Sequence, residues 1–143
     1  MTVLDARSVP ADTTSEDRLA SRGLAYRVVD MNDAAAADDF LKADSRGFLD
    51  QEPTDETLRD MRASMSERRN IGVFDDSVTQ SLPIATVNSW VTPMTVPGGE
   101  VPMWAISSVT VAATHRRRGI ARSLLEGELR AAASAGIAVA GLT

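Results

Sequence analysis

The chain has 143 residues, a net charge of −5 at pH 7 and 43% hydrophobic residues, which is typical of one ordinary globular domain. It contains no cysteine and a single histidine, His115, so disulfide frameworks, thiolate metal sites and a cysteine nucleophile are excluded, and we expect no metal. The negative net charge argues against a protein that binds nucleic acids without sequence preference. No apolar run approaches the roughly 20 residues that a membrane span needs. We therefore expect a cytoplasmic protein without a nucleic-acid partner or a membrane span.

The first 22 residues predict a flexible leader. Asp, Arg, Thr, Ser and Pro are mixed there without the apolar segment of a secretory signal. Residues 23–143 then constitute the predicted folded domain.

The domain opens with a predicted strand followed by two predicted helices. β-Branched and aromatic residues indicate the strand at 24–30, and an alanine run indicates the first helix at about 33–44. Pro53-Thr54-Asp55-Glu56 combines a capping hydroxyl with acidic residues, which is typical of a helix start. This second helix is expected to place Arg68 and Arg69 in its last turn.

Three predicted strands follow, at 70–75, 84–91 and 100–111. Turns at Asp75-Asp76-Ser77 and Pro97-Gly98-Gly99 separate them. Alternating residues in the second of these strands indicate that both of its faces are partly covered.

An amphipathic helix is predicted at 120–135, and Gly136 follows it as a helix-terminating residue. An apolar strand at 137–143 ends without a polar exit, which predicts that the chain stops inside its domain. The order of elements predicts an α/β fold with a mixed central sheet flanked by helices. The helix carries an apolar stripe formed by Ile120, Leu124, Leu125, Leu129 and Ala132.

Three arginines and a glycine, Arg116 to Gly119, separate the last long strand from this helix and form a basic cluster in an acidic chain. Unpaired N–H groups and the helix dipole make such a junction suitable for binding a phosphate. A solvated basic turn is the alternative interpretation. Neither the P-loop motif nor the dinucleotide-binding glycine motif occurs at this junction, so nucleotide hydrolysis and hydride transfer lose their support.

The run from Val109 to Ala121 resembles the acetyl-CoA signature of the GNAT acetyltransferase superfamily, R/Q-x-x-G-x-G/A. Arg116, Gly119 and Ala121 stand at the matching positions. The resemblance implies a GNAT-like mixed sheet that is truncated after the strand following the pyrophosphate-binding helix.

The longer run Ser107 to Leu125, with Pro97-Gly98-Gly99 upstream, is similar to the narrower Eis (enhanced intracellular survival) family, in which V-T-V-x-x-T-H-R-R-R-G recurs. The similarity extends from about Leu24 to the end of the chain. It implies the first domain of a longer protein that also contains a second GNAT-like domain and a sterol-carrier-like domain. It also implies a ring-type homo-oligomer.

The resemblance implies roles for individual residues in binding acetyl-CoA. The Val109 backbone N–H would donate to the thioester carbonyl, an interaction that also suits an oxyanion donor on physical grounds. Val111 would offer backbone groups to the pantetheine arm, and Arg118 would face either solvent or a neighbouring subunit. The pyrophosphate would be held by side chains and N–H groups of Arg116, Arg117, Gly119 and Ile120.

The family's proton-transfer groups are implied to lie outside this chain. The acid is a tyrosine after the strand that begins at Ile137, and the base is the C-terminal carboxylate of a longer chain, which Thr143 is not. Tyr26, the only tyrosine, is expected in the core. His115 is expected to have a structural or pyrophosphate-adjacent role, with general base as the alternative. Residues 1–143 alone are therefore expected to be inactive.

Phe48 and Asp50 fall where Eis-like proteins build the pocket for the amine. A carboxylate beside an aromatic side chain suits a cationic amine, although a phenylalanine here could instead fill the core and an aspartate could cap a helix. Trp90 and Trp104 are expected in the core or at its rim.

These observations predict an acetyl-CoA-dependent N-acetyltransferase of Eis type that acts on a small polyamine or aminoglycoside or on a lysine amine. The alternative is a CoA-binding fragment or regulatory module without turnover. A DNA-binding domain that uses the arginine triplet is disfavoured by the net charge of −5. The sequence leaves the amine acceptor and the oligomeric state open.

Overall fold

The computed structural model describes residues 3–143. Its central element is a mixed five-stranded sheet. The first four strands pair antiparallel in chain order, and the fifth runs parallel to the fourth at one edge. The strands are β1 (Leu24–Val28), β2 (Arg69–Asp75), β3 (Ala85–Val96), β4 (Gly99–Val111) and β5 (Val139–Leu142). The predicted α/β class with a mixed central sheet is confirmed.

Helices cover both faces of this sheet. Two of them pack together on one face and two on the other. The first pair is α1 (Thr13–Ala20) and α4 (Ile120–Ser134), and the second is α2 (Ala34–Gly47) and α3 (Asp55–Met65). The side chains of Asp12, Asp33 and Thr54 accept hydrogen bonds from the first turns of α1, α2 and α3, which explains where these helices begin.

Helix α1 corrects the prediction of a flexible leader over residues 1–22, which is wrong at Thr13–Ala20. The Ser15 hydroxyl donates to the Ser123 carbonyl of α4 at 2.6 Å, and Leu19 is fully buried. The Arg69 guanidinium in β2 also donates to the Val9 carbonyl at 2.5 Å. Long-range contacts therefore fold a segment whose own sequence is polar. Met1 and Thr2, also in the predicted leader, lie outside the described residues.

The other predicted elements are found, with differences at several of their ends. Strand β3 continues to Val96, past the predicted end at Val91. Helix α2 continues to Gly47, past the predicted end.

Helix α3 ends at Met65, so the prediction that Arg68 and Arg69 lie in its last turn is wrong. Arg68 lies in the connection to β2, and Arg69 opens β2 because its side chain is buried against α4. Leu129, predicted in the apolar stripe of α4, is 50% exposed.

The face of the sheet under α4 contains a buried ion pair. Glu128 of α4 is fully buried and accepts hydrogen bonds from Arg69 at 3.2 Å, Ser89 at 2.5 Å and Trp104 at 3.0 Å. Apolar side chains surround this network and anchor α4 to the strands. Because the carboxylate and guanidinium are both hydrogen-bonded, the pair holds α4 in a defined position over β4.

No helix within residues 3–143 combines the length and the apolar character that crossing a membrane requires.

Candidate functional site

Strand β4 contains a β-bulge near its end. Ser107 pairs with Asn88 and Thr110 pairs with Thr86, so two residues of β4, Ser108 and Val109, face a single residue of β3. Ser108 has a φ of 54°, a left-handed conformation that few residues other than glycine adopt. Its carbonyl accepts a hydrogen bond from the Thr86 hydroxyl at 2.8 Å.

The bulge changes which backbone groups of β4 point away from β3. Before the bulge, the Ile106 carbonyl faces β5, where it accepts from the Thr143 N–H at 3.0 Å. After the bulge, the Ala112 N–H donates to the Ile84 carbonyl next to β3, so strand alternation turns the Val111 and Val109 N–H groups outward. Within residues 3–143, β5 pairs with β4 only as far as Ile106.

Residues 112–119 connect the end of β4 to the start of α4. Gly119 is left-handed, with a φ of 71°, and in the described part of the chain α4 begins without a side-chain cap. Arg117 is also left-handed, with a φ of 67°. Where left- and right-handed residues alternate, successive backbone N–H groups point toward one centre and form a concave site that binds anions. The N–H groups in the first turn of α4 are the natural donors there.

Cationic side chains surround this helix start. Arg116, Arg117 and Arg118 are all exposed, and the Arg116 Nε donates weakly to the Val111 carbonyl at 3.5 Å. Arg22, which follows α1, donates to the Arg118 carbonyl. The basic cluster is therefore larger than the arginine triplet and includes Arg22, which was not predicted from the sequence.

His115 fixes the loop that carries these arginines. Its buried imidazole bridges the Asp75 carboxylate of β2 at 2.8 Å and the Thr114 hydroxyl at 2.7 Å. Hydrogen bonds from Ser77 and then from His115 hold the pKa of Asp75 at about 2. Both ring nitrogens are engaged, which favours the structural role over that of a general base.

A cleft of about 480 Å³ lies beside the arginine loop, on the α2 side of β4. Its walls come from the last turn of α2, from the segment between β2 and β3, and from the end of β4. Leu49 and Arg116 both line it, so the cleft joins the loop after α2 to the basic loop.

The predicted amine-binding residues lie on the loop after α2. Phe48 is 55% exposed, which excludes the alternative that it fills the core, and Asp50 is also exposed. Leu49 between them is 91% exposed and left-handed, with a φ of 60°. Leu49 lines the cleft, and Phe48 and Asp50 on either side of it form an exposed lip.

Asp44 is a buried carboxylate that was not predicted from the sequence. It lies on α2, is 8% exposed, and its Oδ1 has no hydrogen-bond partner among residues 3–143. Burial raises the pKa of Asp44 to about 6; the Ser108 hydroxyl lowers it and the Asp50 carboxylate raises it further. The signal in the sequence was Gly47, one turn later, which allows α2 to approach β4 closely.

Gly47 packs directly on Thr110. A Cβ atom at this position would lie 2.9 Å from Thr110 Oγ1 and closer still to the Thr110 Cβ. Glycine is therefore required here for the last turn of α2 to approach β4 this closely.

The aromatic residues take the places expected of them. Tyr26 is buried at 3% exposure, and burial followed by the charge of Glu128 raises the pKa of its phenol. Trp104 is fully buried. Trp90 is half-buried at the rim, where the Arg68 guanidinium stacks 3.9 Å from its ring centroid. Within residues 3–143 there is no cluster of three or more candidate metal-ligating side chains.

The family model described as "Acetyltransferase (GNAT) domain" matches residues 29–143. A protein of Streptomyces avermitilis named "Uncharacterized N-acetyltransferase" is 36% identical over 118 residues, which is 80% of this chain and 27% of that protein. The chain thus spans about a quarter of the length of the curated relatives it matches.

Solved structures share the fold at low sequence identity. A predicted acetyltransferase from Clostridium acetobutylicum, solved with acetyl-CoA, has a TM-score of 0.65 and 18% identity over 84% of this chain and 80% of its own. An aminoglycoside acetyltransferase from an uncultured soil metagenomic sample, in complex with sisomicin, has a TM-score of 0.67 and 12% identity over 86% of this chain and 78% of its own.

Proposed function

Because the chain belongs to the GNAT acetyltransferase family, we propose that it transfers the acetyl group of acetyl-CoA to the nitrogen of an amine. One observation carries the proposal: the Val109 and Val111 N–H groups turn outward at the bulged end of β4, and one short loop later α4 begins at the left-handed Gly119. Hydrogen-bond donors for a thioester arm and for a pyrophosphate thus follow one another along the chain.

The pyrophosphate of acetyl-CoA would bind at the start of α4. Gly119 has no side chain to obstruct its approach, and the N–H groups of Gly119 and Ile120 together with the helix dipole suit a doubly charged anion. Arg116 and Arg117 would add charge-assisted hydrogen bonds. This donor set fits the ligand because it is exposed and strongly cationic in a chain of net charge −5.

The reacting end of acetyl-CoA would extend along β4 beside the segment 107–111. The Val111 backbone would bind the pantetheine arm as an added strand would. The Val109 N–H would donate to the thioester carbonyl, where negative charge develops during acyl transfer, and a fixed donor there contributes about 3 to 4 kcal/mol in other acyl-transfer enzymes.

The acceptor would be a cationic amine that approaches from the α2 side. Phe48 and Asp50 form an exposed aromatic and acidic lip there, and Leu49 connects it to the cleft. A polyamine, an aminoglycoside or a lysine side chain carries an ammonium group that this lip would attract.

Membership of the Eis family, a homo-oligomeric state and a cytoplasmic location belong to the same proposal. The first two rest on the V-T-V-x-x-T-H-R-R-R-G resemblance between Val109 and Gly119, and the location rests on the composition of the chain. Size-exclusion chromatography with light scattering of the full-length protein tests the oligomer, and a monomer at micromolar concentration would contradict it.

Thiol release from acetyl-CoA tests the activity. The full-length protein is expected to release CoA when spermidine, sisomicin or a lysine-containing peptide is added, and mass spectrometry should find the acetylated amine. Binding of acetyl-CoA with no release in the presence of any of these amines would instead favour a CoA-binding module without turnover.

A further inference from the structure

We propose that Asp75, the last residue of β2, is a positioning residue for both substrates, because one of its carboxylate oxygens holds the loop before α4 and the other holds a wall of the cleft. The loop is residues 112–119, the arginine loop, and the wall is residues 76–84, the β2–β3 segment. This inference rests on the acetyl transfer proposed above, and it assigns a role to a carboxylate that touches neither substrate.

The Oδ2 atom of Asp75 holds the arginine loop through a histidine. It lies 2.8 Å from Nε2 of His115, whose side chain is 8% exposed. The other ring nitrogen, Nδ1, lies 2.7 Å from the Thr114 hydroxyl. In the neutral imidazole, Nε2 donates to Asp75 and Nδ1 accepts from Thr114, so both ring nitrogens are bonded. The ring is therefore a fixed anchor for the loop.

Four exposed residues, Arg116 to Gly119, separate this anchor from α4. Ile120, the first residue of α4, is 2% exposed and belongs to the core, so these four residues are held at both ends. They include Arg116 and Arg117, the proposed ligands of the pyrophosphate. A segment that is already held in place loses less conformational freedom when a ligand orders it. Loss of the bond between Asp75 and His115 would therefore weaken the binding of acetyl-CoA.

The Oδ1 atom of Asp75 holds the start of the β2–β3 segment. It accepts hydrogen bonds from the Ser77 N–H at 3.0 Å and from the Ser77 hydroxyl at 2.6 Å, which forms a turn stabilised by the aspartate. Val78 and the two residues after it line the cleft. The segment is held at its other end because the Ile84 N–H donates to the Val73 carbonyl at 2.7 Å. The Ser77 turn therefore fixes the wall that begins at Val78.

The cleft lies between the two parts of the chain that Asp75 joins. Val78 lines it from the β2–β3 segment, and His115 and Arg116 line it from the arginine loop. The backbone joins the same two parts at a second point, where the Ala112 N–H donates to the Ile84 carbonyl at 2.7 Å. The acceptor is proposed to approach on this side of β4. One carboxylate thus positions groups that face the cofactor and groups that face the amine.

The test compares four variants of the full-length protein: Asp75→Ala, His115→Phe, their double variant and Asp76→Ala. Phenylalanine fills the space of the imidazole but cannot bond to Asp75. Asp76→Ala is the matched control, because it removes the same charge from the next residue. The Asp76 side chain is 74% exposed and pairs with Arg27 of β1 at 3.0 Å, away from the arginine loop.

Calorimetric titration of acetyl-CoA measures the hold on the arginine loop. Asp75→Ala and His115→Phe should each raise Kd at least about fivefold, and Asp76→Ala should stay within about twofold of wild type. The double variant should bind no more than about twofold more weakly than the weaker single variant, since both changes remove the same bond. The stoichiometry reports the folded fraction separately, so a loss of stability alone would leave Kd unchanged.

The KM for spermidine, measured at saturating acetyl-CoA, distinguishes the two oxygens of Asp75. Asp75→Ala also releases the Ser77 turn, so this KM should rise at least about threefold, whereas His115→Phe keeps the turn and should stay within about twofold. His115→Gln provides a rescue, because its side-chain amide can donate to Asp75 in place of Nε2. Its Kd for acetyl-CoA should return to within about twofold of wild type.

Four results would overturn the role of Asp75. They are a wild-type Kd in His115→Phe, a double variant in which the two losses multiply, a His115→Gln variant as weak as His115→Phe, and an unchanged KM for spermidine in Asp75→Ala. A wild type that binds acetyl-CoA but releases no thiol with any amine would overturn the proposed acetyl transfer instead. The Kd comparison would then still decide whether Asp75 positions the arginine loop.

Discussion

Two buried carboxylates on opposite faces of the sheet have opposite surroundings. Glu128, under α4, bonds to Arg69, Ser89 and Trp104. Asp44, under α2, has an Oδ1 without a partner in residues 3–143 and a pKa raised to about 6. A fully bonded carboxylate fixes the position of a helix, whereas a buried carboxylate oxygen without a partner costs stability. The buried carboxylate under α4 therefore holds the fold, and the one under α2 weakens it.

The largest expected effect is at Glu128. Glu128→Gln leaves the buried Arg69 guanidinium without a counter-charge, and we expect a loss of about 3 to 5 kcal/mol in the free energy of unfolding. Urea denaturation followed by circular dichroism measures it. A loss below about 1 kcal/mol would mean that Arg69 finds its main support in the Val9 and Pro10 carbonyls instead.

Asp44→Asn should shift stability in the opposite direction. The pKa of Asp44 is raised in the folded protein, so the folded state binds this proton more tightly than the unfolded state does. The resulting stabilisation is complete below pH 3.8 and is lost as the pH rises through about 6. Relative to wild type, the variant should gain up to about 3 kcal/mol between pH 4 and pH 7. Urea denaturation at both pH values checks this, and a difference that does not change with pH would contradict it.

Gly47→Ala should disturb the close contact between the last turn of α2 and Thr110 of β4. The added Cβ would collide with Thr110 and displace the last turn of α2 from β4. We expect a net loss of about 1 to 3 kcal/mol, even though alanine is the better helix former. An unchanged melting temperature would show that α2 shifts at no cost.

The smallest expected effect is at the exposed lip. Asp50→Ala should raise KM for a multiply charged amine by about two- to fivefold, since exposed ion pairs contribute little. KM for acetyl-CoA should not change. Equal KM values for the amine in wild type and variant would remove Asp50 from the acceptor site.

The sequence could predict the order of elements and the arginine–glycine start of α4, because both depend on local signals. The alternation of β3, the capping residues before α2 and α3, and the apolar face of α4 are each visible within a few residues. The acetyl-CoA motif is equally local, which is why the segment from Val109 to Ala121 is recognisable from its residues alone.

The features that could not be predicted from the sequence depend on contacts between residues that are far apart along the chain. The residues around Ser108 carry no local signal for a β-bulge, because the bulge arises from the pairing register of β4 with β3. Asp44 resembles a solvent-facing residue of an amphipathic helix until Gly47 is seen against Thr110. Helix α1 has few apolar residues of its own, and it folds on α4 through Ser15 and Leu19.

Calorimetric titration of acetyl-CoA into the full-length protein tests most directly whether the β4–α4 junction is the cofactor site. We compare wild type, the double variant Arg116→Ala/Arg117→Ala and, as a matched control, Arg118→Ala. Each charge-assisted contact is worth about 1.5 to 3 kcal/mol, so the double variant should raise Kd at least about tenfold, while Arg118→Ala should change it by less than about threefold. An unchanged Kd in the double variant would contradict the assignment of the pyrophosphate to the start of α4.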